Sequence, residues 1–482
     1  MGRQTNRICI AALALVLASG CVHYQPKPLL PAQAMNNLES RTLADVGLRA
    51  FIETNAPDVA KEWPRRSWDL AGLTLVAFYY HPSLDLARTQ VGVAEAGVIT
   101  AGGRPNPSVS FAPQYNASAL SRITPWTLGF SFDLPIETAG KRGFRMTAAE
   151  HLSESARLNL ATTAWSVRSN LRASLLDFTA AQQREAFLQK QVSIQEQIVK
   201  LLDQQAQAGA IASSELAIFR IALHKARLDL ADAQRQQAES RVHVAKALGV
   251  SVHALNDAEF SFDLQNDFVS ATNLTSAEIR HQALLGRADI LGVLADYAAA
   301  QATLQLETAK QYPDVHLNPG YQFDQGDNKW SLRISFELPV LNQNQGLIAE
   351  AKARREEAAA KFNALQAKVL AEIESAVEVF RVTEKTSATL RSLAEEQAKR
   401  RDSIEAQFRA GAADQLDFLN AQFEFAVAGL AQLDGRVKSQ QAIGALEDAV
   451  QRPLDAATAP PPAIFSPGPK LSLPDKKKET KL

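Results

Sequence analysis

Residues that could carry out chemistry are sparse and scattered along this 482-residue chain. The eight histidines have no spacing typical of metal ligands, so no metal site is predicted. The Gly102-Gly103-Arg104 segment lacks the Gly-Lys-Ser/Thr of a phosphate-binding loop, and no Gly-x-Ser-x-Gly nucleophile motif occurs. We therefore predict no catalytic site and no cofactor, and we expect that the chain is not an enzyme.

Cys21 is the chemically distinctive residue near the N-terminus. Arginines precede an apolar run from Ile8 to Leu17 that is too short to span a bilayer, which predicts a signal peptide over residues 1–20. Leu17-Ala18-Ser19-Gly20-Cys21 resembles the lipobox of bacterial lipoproteins, which implies that Cys21 becomes the lipidated N-terminus. An ordinary signal peptide with a chance cysteine is the alternative. Val22 stands where an aspartate tends to mean inner-membrane retention, which favours the outer membrane.

Composition sets the broad class. A formal net charge of -1 gives no reason to expect nucleic-acid binding, and 46% hydrophobic residues are enough for a large core or several domains. Both cysteines, Cys9 and Cys21, lie near the N-terminus, so no disulfide is predicted downstream. No stretch of about 18 apolar residues occurs, which excludes a helical membrane protein but not a β-barrel with its weaker alternating signal.

An internal repeat, spaced by a little over 200 residues, organises the chain. Phe130-Ser131-Phe132-Asp133-Leu134-Pro135-Ile136 matches Ile334-Ser335-Phe336-Glu337-Leu338-Pro339-Val340, and Ala208-Gly209-Ala210 matches Ala410-Gly411-Ala412. The predicted organisation is a lead-in at 21–70, a first repeat at 71–250, a linker at 251–287, a second repeat at 288–450 and a disordered tail at 451–482.

Each repeat is predicted to begin with a helix, Leu84 to Thr100 in the first and Ala288 to Lys310 in the second, followed by two strands and two long helices. The predicted strands cover about 106–116 and 125–135, then 313–324 and 329–339. The predicted helices cover 143–207, 213–248, 346–409 and 414–448. Gly209 and Gly411 mark the turns between the helices, because glycine supplies the left-handed residue that ends a helix.

Apolar and polar residues alternate with period two along all four strands, which gives each strand one apolar and one polar face. This pattern is typical of transmembrane β-strands, although a soluble sheet lying on helices would show it too. The positions predicted to face lipid are Val109, Phe111, Phe130, Phe132, Leu317, Phe323, Ile334 and Phe336. Four strands cannot close a barrel, so a spanning form must be oligomeric. Three copies would supply twelve strands and four would supply sixteen.

The long helices carry apolar residues in steps of three and four, as coiled-coil seams do. One seam runs through Leu160, Ala164, Val167, Leu171, Leu175 and Phe178. About 65 residues of helix would span roughly 100 Å. A solid coiled-coil bundle with a scaffold role is the alternative to a hollow tunnel.

The order of these features resembles the TolC family of outer-membrane efflux factors over nearly the whole mature chain. The resemblance implies a mainly α fold with a small β part. In a homotrimer, the duplicated unit would form a 12-stranded membrane β-barrel continued by an α-helical periplasmic tunnel. It also implies passive export of metal cations or drugs from an inner-membrane transporter of RND type, with a periplasmic adaptor docked at the helix tips. A periplasmic coiled-coil scaffold or adaptor lipoprotein is the alternative function.

The resemblance also implies a gate just after the second helix turn. Members of the family narrow the tunnel there with acidic residues, and Asp417 and Asp414 match this region. Glu215 is the counterpart of Asp417 after the first turn, whereas Asn420 stands where a second aspartate is typical. Three copies of Asp417 around one axis would form a ring that attracts cations. Capping of a helix start by Asp414 is the alternative.

The segment Pro135-Ile136-Glu137-Thr138-Ala139-Gly140-Lys141-Arg142-Gly143 resembles a turn in the heavy-metal branch of the family. The alternative is an ordinary strand-to-helix junction, in which Lys141 and Arg142 face phosphates or water.

Overall fold

The computed structural model describes residues 24–61, 63–120, 123–264 and 276–454. The predicted signal peptide, Cys21 and the segment beyond residue 454 lie outside the described residues. The chain divides into two units, Met1–Thr42 and Leu43–Leu482. The first contains one described helix, α1 (Pro31–Glu39).

The second unit opens with helices α2 (Val46–Asn55), α3 (Pro57–Ala60) and α4 (Leu70–Tyr80). Much of the described part of the predicted lead-in is therefore helical. Asp45 and Asp69 cap α2 and α4 through hydrogen bonds from the amides of Leu48 and Gly72. The apolar helix α4 is buried in a core with α6 and α7, because it is apolar on every side.

The remaining elements follow the order of the two repeats. The first repeat contains α5 (Pro82–Ala101), β2 (Ser108–Tyr115), β3 (Trp126–Ile136), α6 (Lys141–Gln207) and α7 (Ser213–Leu248). The second contains α9 (Ala288–Ala309), β5 (Val315–Asp324), β6 (Asp327–Phe336), α10 (Gln345–Arg409) and α11 (Gln415–Val450). The fold class predicted from sequence, a mainly α protein with a duplicated unit and a small β part, is confirmed.

The segment predicted as a linker carries structure of its own. It contains a 3-10 turn (Val252–Leu255), the short strand β4 (Glu259–Phe260) and helix α8 (Ser276–Gly286). Strand β4 pairs in parallel with β1 (Ser67–Trp68), far upstream in the chain. This segment therefore ties the lead-in to the end of the first repeat.

The long helices α6 and α10 contain 67 and 65 residues, about 100 Å each at 1.5 Å per residue. Helix α6 contacts α5, α7, α9 and α11, so it has neighbours on several sides. The predicted seam along α6 is buried throughout. Within the described residues, none of the helices combines the length and the apolarity that crossing a bilayer requires.

Four strands form one antiparallel sheet in the order β2-β3-β5-β6. Pairing of β3 with β5 joins the two repeats, with Phe130 opposite Tyr321 and Leu134 opposite Leu317. The hairpin between β5 and β6 turns at Gln325 and Gly326, whose φ angles of 51° and 115° suit a tight turn.

Candidate functional site

The strand register places the apolar residues of all four strands on one face of the sheet. Phe111 lies opposite Phe130, Phe130 opposite Tyr321, and Tyr321 opposite Trp330. The other rows of this face are Val109 with Phe132; Leu128 with Phe323; Leu134, Leu317 and Ile334; and Ile136, Val315 and Phe336. The eight residues predicted to face lipid all lie on this surface, which we call the apolar face.

The apolar face is open to its surroundings. Phe111, Phe132 and Phe336 are 55%, 52% and 54% exposed. In the described part of the chain, no helix packs across the four-stranded sheet. Large aromatic side chains on an uncovered face imply that something outside this chain covers them.

Aromatic residues gather toward the end of the apolar face that is remote from the helices. The rings of Tyr115 and Trp126 are 5.1 Å apart, and those of Tyr321 and Trp330 are 4.8 Å apart. Amphipathic rings at the end of an apolar band are typical of a membrane–water interface.

The opposite face of the sheet is polar. Ser110, Ser131 and Ser331 lie along one row, and His316 Nδ1 lies 2.9 Å from Asp133 Oδ1. The hydroxyl of Thr127 donates to Asp324. Two faces of opposite character on uncovered strands fit a wall with lipid on one side and water on the other. Among the described residues, no three His, Cys, Asp or Glu side chains lie together as metal ligands.

The sheet has two unpaired edges. Within the described sheet, β2 and β6 each have a single neighbour, β3 and β5 respectively. An open edge leaves backbone amide and carbonyl groups without partners, and these groups can bind the edge of another chain. In lipid such an edge would be costly.

The strand-to-helix turn after β3 contains an ion pair that joins the two repeats. Lys141 is buried, and its Nζ lies 2.8 Å from Oδ1 of Asp314 in the other repeat. The amide of Thr138 also donates to Asp314, and Arg145 pairs with Glu137. The alternative that Lys141 faces phosphates or water is therefore wrong for this residue. Arg142 donates to the carbonyl of Gly102.

The contacts of Asp314 determine the direction of its pKa shift. Burial works to raise the pKa of Asp314, but hydrogen bonds from Lys141 and Thr138 outweigh it and hold the pKa below its ordinary value. Asp314 is therefore charged at neutral pH, as the ion pair with Lys141 requires.

The helix tips have the same geometry in both repeats. Gly209 and Gly411 have φ angles of 76° and 75°, and nothing lies within 4 Å of a Cβ built on either glycine. The amides of Ala210 and Ala412 donate back to the carbonyls of Gln205 and Gln407 at 2.8 Å. This Schellman arrangement ends each long helix and leaves the tip exposed.

The predicted gate residues lie at the start of α7 or α11 and are exposed. Asp414 Oδ1 accepts a hydrogen bond from the amide of Asp417, and Asp417 Oδ2 accepts one from the amide of Asp414. The pair thus forms a capping box, as the capping alternative predicts for Asp414. Glu215 lies in the first turn of α7, and Asn420 lies one turn into α11.

The family model for outer membrane efflux proteins matches residues 78–250 and 279–450, which covers both repeats. The chain belongs to the outer membrane efflux protein family. The resemblance to TolC-type outer-membrane efflux factors is therefore confirmed, and the chain is an outer-membrane efflux channel protein.

One relative is the cobalt-zinc-cadmium resistance protein CzcC of Cupriavidus metallidurans. It is 24% identical over 345 residues, which cover 70% of this chain and 79% of the relative. Among solved structures, the CmeC outer membrane channel of Campylobacter jejuni has a TM-score of 0.64 at 17% identity, covering 79% of this chain and 85% of that one. VceC of Vibrio cholerae has a TM-score of 0.64 at 18% identity, covering 80% and 97%. These likenesses show the fold.

Sequence reasoning missed the buried charges between α6 and α11. Arg168 is 1% exposed and lies 3.2 Å from Glu447, while Arg172 donates to the backbone and side chain of Gln440. The arginines of α6 and their partners on α11 are about 270 residues apart in sequence, so no local sequence pattern predicts these contacts. The one signal in the sequence is the position of Arg168, which lies four residues after Ala164 and three before Leu171 of the apolar seam.

Proposed function

We propose that three copies of the chain close a twelve-stranded barrel in the outer membrane, each supplying its four-stranded sheet. The observation that carries this proposal is the exposed apolar face, which is continuous across all four strands and flanked by unpaired edges at β2 and β6. Three copies would pair these edges and leave room for an aqueous lumen lined by the polar face. A periplasmic coiled-coil scaffold or adaptor lipoprotein is disfavoured, because its sheet would expose aromatic residues to water.

We further propose that the barrel and the helical tunnel are the passive exit duct of a tripartite efflux system. An inner-membrane transporter of RND type and a periplasmic adaptor would hand over the cargo, and no catalytic turnover or cofactor is expected in this chain. Similarity to CzcC favours divalent metal cations over drugs as cargo. We expect Cys21 to carry the lipid anchor, and outer-membrane lipids to contact the apolar face.

The helix tips are proposed as the docking points for the adaptor, around Gly209 and Gly411. Their exposed, identical turns support this role. We propose that Asp417, Asp414, Glu215 and Asn420 line a constriction at this end of the tunnel. Carboxylates repeated about a threefold axis would concentrate cations there.

Purified full-length protein in planar bilayers tests the duct directly. We expect stepwise conductance, a trimer mass in native mass spectrometry, and a change in cation conductance for Asp417→Asn. No conductance from a properly folded trimer would refute the duct. Growth of a deletion strain on zinc, cobalt and cadmium salts, compared with growth on organic dyes, tests the cargo. Unchanged metal tolerance with lowered dye tolerance would contradict the metal assignment.

A further inference from the structure

An open recess of about 820 Å³ lies where α11 ends and α9 begins, between the long helices α6 and α10. The two helix ends are tied together. Arg287 Nη1 donates to the carbonyl of Ala449 at 2.9 Å, and the amide of Ala288 donates to the side chain of Gln451 at 3.1 Å. Because the shorter helices meet end to end here, neither fills the space between the two long ones.

Small side chains keep the recess open. The small residues that line it are Ser166, Ser169, Ala371, Ser375, Ala376, Ala445 and Ala449. Trp165 and Val379 supply larger apolar surface. The lining combines this apolar surface with several polar side chains, and a concave site of this size can bind a small molecule that has both apolar and polar parts.

Asp448 is the polar group that distinguishes the recess. Its Oδ1 accepts a hydrogen bond from Trp165 Nε1 at 2.9 Å, and its Oδ2 accepts one from Ser169 Oγ at 2.7 Å. Both hydrogen bonds described for this carboxylate come from neutral groups, which hold it in place without neutralising its charge. Asp448 is exposed to the recess, yet desolvation by the protein behind it raises its pKa, although the hydrogen bonds from Ser169 and Trp165 and the charge of Arg172 act in the opposite direction.

The cationic residues of the recess are already engaged. Arg287 donates to both carboxylate oxygens of Asp289, to Glu372 and to the carbonyl of Ala449. Lys368 is a solvent-exposed side chain whose Nζ lies 3.7 Å from Glu372. An anionic ligand would therefore compete with existing ion pairs. A cationic ligand would meet the carboxylate of Asp448, on which the charge of Arg172 acts but for which no ion pair within 4 Å is described.

We propose that this recess binds an organic cation with an apolar body. The positive group would lie at Asp448, with Glu372 on the other wall, and the body would lie against Trp165 and Val379. The proposal does not depend on which cargo the channel exports, because it concerns binding to the wall of the helical region.

Binding of methyltriphenylphosphonium to the purified full-length protein, measured by calorimetry against a detergent blank, tests the proposal. Triphenylphosphine oxide is the matched neutral probe of similar shape. We expect Asp448→Asn to weaken binding of the cation about tenfold and to leave binding of the neutral probe unchanged. Asp229→Asn, an exposed carboxylate on α7, is the control and should bind both probes as the unmodified protein does.

A second variant locates the site without altering charge. Ala371→Trp fills the recess from α10 and should abolish binding of the cation. Circular dichroism spectra must match those of the unmodified protein, and Ala371→Trp alone carries the test if Asp448→Asn does not fold. The proposal is overturned if the unmodified protein does not bind the cation, if both probes bind equally well, or if neither Asp448→Asn nor Ala371→Trp weakens binding. The calorimetric measurement of binding does not use conductance. It can therefore be interpreted even if the protein shows no conductance in planar bilayers.

Discussion

The carboxylate of Asp414 accepts a hydrogen bond from the backbone amide of Asp417, with 2.7 Å between Oδ1 and N, at the first turn of α11. This contact gives Asp414 a structural role that is separable from its charge. Asparagine caps a helix about as well as aspartate, whereas alanine does not.

We therefore predict that Asp414→Ala costs about 1 kcal/mol of local stability at the tip. Hydrogen exchange of the amides at residues 415–418 should become about fivefold faster. Asp414→Asn should leave exchange unchanged, and Asp417→Asn should alter cation conductance without opening the turn. If Asp414→Asn and Asp414→Ala accelerate exchange equally, the hydrogen bond is not what holds the tip.

Gly444 lets α6 approach α11 closely. A Cβ built on Gly444 would lie 2.5 Å from Nη1 of Arg172, so the guanidinium occupies the space that a side chain would need. We predict that Gly444→Ala destabilises the protein by about 1–3 kcal/mol through overpacking, despite the better helix propensity of alanine.

Gly97 is the matched control for Gly444. It lies inside helix α5, is exposed, and has nothing within 4 Å of a built Cβ. Gly97→Ala should stabilise the protein by up to about 1 kcal/mol. Thermal unfolding followed by circular dichroism measures both variants. A stabilised Gly444→Ala variant would show that Arg172 can move aside at no cost.

Whether the sequence alone predicts a structural feature depends on how far apart in the chain the residues that form it lie. Alternation along Phe130 to Leu134 is local, and it predicted strands with one apolar face. Pairing of Phe130 with Tyr321 joins positions almost 200 residues apart, so the register that merges four apolar stripes into one surface was visible only in the structure.

The same distinction applies to the charged residues. Lys141 follows a Pro- and Gly-containing turn, and one of the two interpretations of this turn has Lys141 face phosphates or water, but its partner Asp314 lies in the other repeat. The recess at Asp448 arises where α9 and α11 meet, and end-to-end packing of two helices has no sequence signature.

Glu447 pairs with two buried arginines. Its Oε2 lies 3.2 Å from Nη1 of Arg168 and 3.4 Å from Nε of Arg172, and its Oε1 accepts a hydrogen bond from the amide of Leu454. Replacing Glu447 with alanine removes this carboxylate, so both guanidinium groups stay buried without its negative charge nearby. We predict that Glu447→Ala destabilises the protein by about 3–5 kcal/mol.

An exposed ion pair supplies the comparison. Glu405 pairs with Arg409 on the surface of α10, where solvent screens the charges. Glu405→Ala should change stability by less than about 1 kcal/mol. Urea denaturation of both variants in the same detergent makes the test. Equal losses would mean that burial of the Arg168 and Arg172 charges is not what makes Glu447 important.

Phe130 and Ser131 are adjacent residues on opposite faces of β3. We predict that Phe130→Arg impairs insertion into the outer membrane, because an arginine on a lipid-facing strand near the bilayer midplane costs about 2–4 kcal/mol. Ser131→Arg places the same charge on the polar face and should insert normally. Membrane fractionation and conductance measure the two outcomes. The assignment of the two faces is wrong if Ser131→Arg is the variant that fails to insert.

Asp448 makes the stability of the protein depend on pH, in a direction that follows from its pKa shift. Burial raises the pKa of Asp448 in the folded protein, although hydrogen bonds from Ser169 and Trp165 work in the opposite direction. A carboxyl group whose folded pKa is raised favours folding fully below its unfolded pKa, and this contribution is lost as the pH rises through the folded pKa. Asparagine at this position does not titrate.

The stability of Asp448→Asn relative to the unmodified protein should therefore be greater at about pH 7 than at about pH 3.5. The difference is expected to be small, because the carboxylate remains accessible through the open recess. Urea midpoints at both pH values give the comparison, and Asp229→Asn corrects for changes at exposed carboxylates. A relative stability that falls between pH 3.5 and pH 7 would mean that hydrogen bonding, rather than burial, dominates at Asp448.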